Sequence, residues 1–415
     1  MRKRWIHRKH RILAMILAWA LMLQLSGCGK PYEQLEPEPM TLSLWYYWDG
    51  YTARHRLLEI VNEFNDTHED IQVSAKYVPD EDFKKRLALA IADGKAPDLA
   101  IVDSSDVRYY DKMNPLADMS AYMDEAEYLD AALASCRNED GRILGLPLGL
   151  NCLAFYYNED ILEEKHIQPP ENLDEFVRAA VRITDGTVFG CAFPSLQSEE
   201  SIFCFLPILW AMGGNVTDID SEAGRQAFDF FRRLARHRGM SHRTVNMTLS
   251  DITKEFAKGN IAMMFCTSGR EAELQKANPQ LNFKVMPIPT GQKPLTIIGG
   301  EVLTVLSDEK KQQATEFVRF LAEPKRIEAY LGDMMYLSPR KDILKLQTEQ
   351  YPDMKRYAEY LETGRGREFT PYWPEISLAI TDVINQVILE EDQVDTLQNL
   401  EKKIAGIREA QDETD

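Results

Sequence analysis

The sequence is short of the residues that most enzyme chemistries require. It has only seven His in 415 residues, and two of them, His7 and His10, stand at the amino terminus. Its six Cys form no CxxC pair and have no His at zinc-ligand spacing, so a zinc site is not supported. No GxSxG elbow, HExxH pair or GxxxxGK[ST] loop occurs, which leaves serine-hydrolase, zincin and P-loop chemistry without a motif. Basic charge is scarce as well: 48 Lys and Arg stand against 66 Asp and Glu, for a net charge of -18. Arg2, Lys3, Arg4, Arg8, Lys9 and Arg11 all lie in the first eleven residues, so a form without them has 42 basic residues and a charge of -24. With no basic stripe after residue 30, nucleic acid is not expected as a partner. No internal repeat of fixed period is visible.

What is present is a well-packed globular composition, with 44% hydrophobic and 27% charged residues, six Trp, seventeen Tyr and seventeen Phe. A chain this long exceeds one ordinary core and predicts roughly two to three domains, with two lobes as the simplest arrangement. Residues 1–27 read as a signal peptide: a basic head, an apolar stretch from Ile12 to Leu25, then Ser26-Gly27 before Cys28. At about 1.5 Å per residue the apolar stretch would reach only about 21 Å, short of the roughly 30 Å hydrocarbon core. Leu25-Ser26-Gly27-Cys28 resembles the bacterial lipobox, which implies diacylglycerol on the Cys28 thiol and a membrane anchor. Residues 28–40 contain Pro31, Pro37 and Pro39 with Glu33, Glu36 and Glu38 and no apolar period, the composition of a tether. Most of Cys136, Cys152, Cys191, Cys204 and Cys266 sit among apolar neighbours and read as small buried hydrophobes, with a Cys191–Cys204 disulfide left open.

Along the mature chain, TLSLWYYW (41–48) predicts a first strand ended by Asp49-Gly50, and Leu57, Leu58, Val61 and Phe64 recur at helical spacing before the strand IQVSAKYV. DEDFKKRLALAIADGKAP predicts a helix closed at Gly94, followed by the buried strand DLAIVD. This alternation implies a parallel sheet with helices on both faces, and ligands in such sheets meet the carboxyl ends of strands. GRILGLPLGLNCLAFYYNEDIL (141–162) reads as an extended crossing between lobes. ENLDEFVRAAVRI, FCFLPILWAMGGN and SEAGRQAFDFFRRLARHRG predict helices, KEFAKGNIAMMFCTSG a helix end and buried strand, and IIGGEVLTVLS a further strand. Residues 375–407 carry a helical apolar stripe at Ile376, Ala379, Ile380, Val383, Ile384 and Val387.

GKAPDLAIVD, GLPLGLNCLAFYYNEDIL, ENLDEFVRAA, MGGN, FAKGNIAMMF, GGEVLTVLSDEKKQQATEFVRFLAEP and LSPRKD, in that order, resemble the extracellular solute-binding protein family of ABC importers, in its sugar- and oligosaccharide-delivering group. The resemblance implies an α/β, two-lobed periplasmic-binding-protein-like fold with a hinge and an interlobe ligand cleft. It places 41–147 plus 300–345 in an amino-terminal lobe and 151–295 plus 346–415 in a carboxy-terminal lobe. It further implies a monomer without cofactor or metal, capture of a sugar by cleft closure, and delivery to the transmembrane permease subunits, with ATP hydrolysis left to a separate subunit.

Sugars are held by aromatic faces and by planar polar groups that take paired hydroxyls. Trp48 and Asp49, at the strand end, supply both, against the alternative of packing under a lobe. Asp103, Ser104 and Ser105 match the family's ligand-contacting loop, with loop capping as the other reading. Asn151 falls at the lobe crossing, where relatives often place a binding carboxamide or where a hinge hydrogen bond would serve. Ser268 and Arg270 follow the GNIAMMF strand, Arg270 either clamping a ligand or pairing with Glu271 or Glu273. Gly300 and Glu301 lie beside the second crossing; Trp210, Tyr372 and Trp373 are further aromatic candidates, Trp210 with core packing as its competitor. Arg270, Arg340, Arg365 and Arg367 leave room for an acidic saccharide. A surface carbohydrate-active enzyme, with two carboxylates flanking one glycosidic bond, is the competing class, and service to a membrane sensor is a third.

Overall fold

Leu42, Leu44 and Tyr46 are buried while their neighbours are not, and this period of two makes β1 (Met40–Tyr46). The computed structural model describes residues 39–48, 51–291, 295–331, 336–367 and 370–412. The signal peptide, Cys28, the tether up to residue 38, and Asp49 lie outside the described residues. Among the described residues no helix is long and apolar enough to cross a membrane.

The remaining strands are β2 (Ile71–Tyr77), β3 (Leu99–Asp103), β4 (Leu146–Asn158), β5 (Phe189–Ala192), β6 (Ile261–Thr267), β7 (Phe283–Met286), β8 (Thr296–Val305) and β9 (Gly364–Arg365). They pair in the order β2-β1-β3-β8-β4-β6-β5, with β7 on β4 and β9 on β8. The sheet is mixed, which corrects the expectation of a parallel one. β1–β3 and β5–β6 are parallel, whereas β8 runs antiparallel to β3 and β4, and β4 antiparallel to β6 and β7. Local alternation of strand and helix sets only the first three strands. β8 reaches β3 from far along the chain, Thr304 meeting Ala100 across 204 positions, and no crossover helix dictates its direction.

β4 and β8 are the strands that pass from one half to the other. β4 pairs with β8 from Leu146↔Leu303 to Cys152↔Ile298 and then with β6 from Leu153↔Thr267 to Tyr157↔Met263. Its side chains divide by the strand period: Leu153, Phe155 and Tyr157 enter one buried cluster, while Leu150, Cys152, Ala154 and Tyr156 enter another. A third cluster gathers β1–β3, the start of β4, and buried side chains from Val302 to Leu331 with Ile343. The cluster around Phe155 is aromatic, with the Phe193 ring 5.0 Å from Phe265 and 5.4 Å from Phe231. The Trp373–Leu389 and Thr396–Asp412 helices pack on that same cluster through the apolar stripe expected of the tail.

Local chemistry fixes several helix starts. Asn172, Ser221 and Thr248 cap their helices through side-chain oxygens, and Thr248 with Asp251 completes a capping box. The five cysteines from Cys136 onward are buried free thiols. Burial pushes the thiols of Cys136 and Cys266 up to about 12.

Candidate functional site

The two crossing strands border a cavity of about 1070 Å³. Its wall combines Tyr47 and Trp48 after β1, Phe83 and Lys84 of the Asp80–Ala92 helix, Asp103 and Asp106 after β3, and Asn151 of β4. Glu199 and Phe203 of the Glu199–Ala211 helix, Arg270 after β6, Gly299, Gly300 and Glu301 of β8, Tyr336 and Arg367 complete it.

Charges cross this cavity in a chain. Lys84 Nζ lies 2.9 Å from Asp106 Oδ1 and 3.3 Å from Glu199 Oε1. Arg367 reaches Glu199 Oε2 at 3.2 Å and Asp103 Oδ1 at 2.5 Å. Glu199 also accepts from Ser377 Oγ at 2.6 Å and from Trp373 Nε1 at 2.9 Å. Burial works to raise the Glu199 carboxyl, but Lys84, Arg367 and these two hydrogen bonds outweigh it and hold it below the ordinary range. Asp106 is paired with Lys84, but burial, with Glu199 and Asp103 nearby, pushes its carboxyl well up. Lys84 and Arg367 are driven upward by the same carboxylates against the opposing effect of burial.

A second polar group sits on the crossing strands. The Glu301 carboxyl is buried and accepts from Tyr336 Oη at 3.2 Å. Burial is its main perturbation and the Asp103 carboxylate adds to it, so it titrates at about 8. Asn151 Oδ1 is buried and makes no hydrogen bond among the described residues. Gly299 and Gly300 permit this closeness: a Cβ on Gly299 would stand 2.7 Å from Asn151 Oδ1, and one on Gly300 2.2 Å from the Gly149 carbonyl oxygen.

Aromatic rings line the same space. Tyr47 packs on Phe83 at 5.1 Å, Trp48 on Tyr330 at 5.5 Å, and the Arg367 guanidinium lies 5.3 Å from the Phe203 ring.

Of the residues singled out from sequence, Trp48, Asp103, Asn151, Arg270, Gly300 and Glu301 line the cavity together. Ser104 and Ser105 are buried beneath it, Ser105 hydrogen-bonding to Asp103, and Ser268 is fully buried. Trp373 does not reach the cavity; it is fully buried, where its indole N–H serves Glu199. Trp210 packs at the edge of the aromatic core with Arg365 over its ring at 5.8 Å, and Tyr372 pairs with Lys112. Arg340 is taken by Glu127 and Asp342, and Arg270 by Glu273. Sequence reasoning did not find Lys84, Asp106, Glu199, Phe203 or Tyr336. Only Tyr336, next to the LSPRKD segment, carried a usable signal.

The sequence model of the bacterial extracellular solute-binding protein family matches residues 59–363. Among curated proteins, the chain is similar to the melibiose/raffinose/stachyose-binding protein MelE of Bacillus subtilis, at 22% identity over 73% of this chain and 75% of that one. It is also similar to the galactooligosaccharide-binding protein of Bacillus subtilis, at 23% identity over 45% of this chain and 44% of that one. Among solved structures, maltose-bound MalE3 of T. maritima superimposes with a TM-score of 0.79 at 21% identity, covering 88% of this chain and 99% of that one. The GacH receptor of Streptomyces glaucescens gives 0.79 at 20% identity, covering 89% and 98%. The fold is accordingly the two-lobed α/β fold of periplasmic binding proteins. With the family match running through most of the chain, the protein belongs to the bacterial extracellular solute-binding protein family.

Proposed function

We propose that the protein captures a sugar or oligosaccharide in this cleft and hands it to the permease of an ABC importer, with β4 and β8 acting as the hinge strands. The observation that carries the reading is the shared wall of one cavity: the rings of Tyr47, Trp48, Phe83, Tyr109, Phe203 and Tyr336 beside the planar polar groups of Asp103, Asn151 and Glu301. Rings cover the C–H faces of a pyranose, and carboxyl and carboxamide groups take its hydroxyls. The binding of melibiose, raffinose and stachyose named for MelE supports the same class of solute.

Residues 41–147 with 300–345, and 151–295 with 346–415, act as the two lobes in this reading, each built around its own buried cluster. Groups from both contact the solute only when the cleft closes, so closure gives affinity and a shape for the permease to recognise. Diacylglycerol on Cys28 and the tether hold the body at the outer face of the membrane. The relatives are binding proteins, and the reading here is likewise of binding without turnover.

A thermal-shift screen of the purified protein against mono- and oligosaccharides, with the sugars recovered and chromatographed, tests it. Ligand at a hundred times its dissociation constant stabilises the fold by about 2.7 kcal/mol. A saturable rise with intact sugar supports the reading, cleaved sugar moves the case to a carbohydrate-active enzyme, and no rise with any sugar refutes it.

A further inference from the structure

Given a saccharide site, the cleft charges determine which saccharides it takes. Lys84 and Arg367 are each held between two carboxylates, Lys84 by Asp106 and Glu199, Arg367 by Glu199 and Asp103. The Arg367 side chain is 3% exposed, and its two terminal nitrogens already face Asp103 and Glu199. A guanidinium binds a carboxylate or sulfate by turning paired N–H groups toward it. An anionic solute would therefore have to expel one of these carboxylates and leave it desolvated without its partner. Arg270 is paired with the more exposed Glu273. Among the described residues lining the cavity, Asp103, Glu199, Glu200, Glu273 and Glu375 stand against five Lys and Arg, with Glu301 and Asp106 pushed up toward their uncharged forms, so the wall offers an anion no net positive field.

The polar capacity left over suits hydroxyls. Glu301, 7% exposed, has Tyr336 as its hydrogen-bond partner, and Asn151 Oδ1 accepts nothing among the described residues. A sugar hydroxyl can donate to Asn151 and either donate to or accept from the carboxyl of Glu301. Both groups stand on the crossing strands, and a Cβ on Gly299 would stand 2.7 Å from Asn151 Oδ1.

We propose that the cleft selects uncharged saccharides over acidic ones, with the Lys84–Glu199–Arg367–Asp103 chain rejecting anions and Glu301 with Asn151 receiving hydroxyls. This rests on the saccharide reading and narrows it. Lys84 and Arg367 are then positioning residues for the carboxylates, and the acidic saccharide that the arginines left open from sequence is rejected.

The test is calorimetric titration of the full protein with raffinose, maltotriose and mannotriose on one side and trigalacturonate and a sulfated trisaccharide on the other. The neutral set is expected to contain the tightest ligand, and the acidic set to bind at least ~10-fold more weakly, the discrimination that an unpaired buried charge produces. Glu199→Gln and Asp103→Asn each release Arg367 from one carboxylate and are expected to raise acidic binding relative to neutral, with melting curves confirming the fold. An acidic sugar that binds as tightly as any neutral one overturns the selectivity while keeping the saccharide reading. Variants that weaken both sets in equal proportion overturn the role of the charge chain. If neither set binds, the saccharide reading falls and this inference falls with it.

Discussion

Gly300→Ala should damage the molecule at its crossing point. A Cβ at 300 would lie 2.2 Å from the Gly149 carbonyl oxygen, on backbone paired in the ladder Leu150↔Gly300. Relief needs strand separation, because both partners are backbone and neither can rotate away. Overpacking of this kind costs about 1–3 kcal/mol, and a lost ladder hydrogen bond adds about 1 kcal/mol, so about 3 kcal/mol is expected. Unfolding entropy of about 2.1 cal/mol/K per residue over Thr41–Asp415 gives roughly 0.8 kcal/mol/K, and the melting temperature should fall by about 4 °C. Gly406→Ala is the control: it lies exposed in the Thr396–Asp412 helix with nothing within 4 Å of an added Cβ, and should gain about 0.5–1 kcal/mol from helix propensity. Differential scanning calorimetry of the pair decides. A Gly300→Ala protein that melts within about a degree of wild type, against the shift worked out above, would refute the close-approach argument.

Four further outcomes can be checked. Phe193→Ala removes a fully buried ring packed on Phe176, Phe230, Phe231 and Phe265 and should cost about 3–5 kcal/mol by denaturant titration. Burial alone would raise the Asp98 carboxyl, but the Ser43 N–H at 2.8 Å, its hydroxyl at 2.9 Å and Lys310 hold it below its ordinary 3.8. That stabilisation is present above about pH 4 and disappears as pH falls, so Asp98→Asn should lose stability at pH 7 and converge on wild type in acid. Glu301 is the opposite case: folding raises its carboxyl from 4.5 to about 8, so wild-type stability drops as pH climbs between those values. Glu301→Gln should become progressively more stable relative to wild type over that window, and parallel stability–pH curves would contradict the burial of an uncharged acid. Finally, Cys136, Cys152, Cys191, Cys204 and Cys266 should resist a thiol reagent in the native protein and all react on unfolding, which mass spectrometry counts directly.

The parts of the molecule that were legible from sequence are those set by neighbours in the chain. The alternation in TLSLWYYW placed β1, the acidic start and Gly94 bounded the Asp80–Ala92 helix, and the apolar stripe after Glu375 placed the Trp373–Leu389 helix on a core. Direction within the sheet was not legible, because β8 finds β3 and β4 through contacts with no local periodicity. The site divides along the same line. Trp48, Asp103, Asn151 and Glu301 stand at strand ends or on crossing strands, positions that a pattern of strands reveals. Lys84, Glu199 and Arg367 are ordinary helix and loop residues whose meaning comes from partners 115 and 264 positions away. Trp373 shows the converse: an aromatic chosen for its type is a core residue whose indole supports a carboxylate in the cleft.

The sheet order also shapes how the chain reaches its native state. Ala100 and Thr304 are ladder partners 204 positions apart, so β3 is made long before the strand that completes it. Until β8 emerges, the Leu99–Asp103 edge offers unpaired, largely apolar backbone to any other strand in reach, and β4 waits for the same partner. Assembly should therefore be slow and late, with chaperone dependence and aggregation of truncated chains concentrated in fragments that end before residue 305.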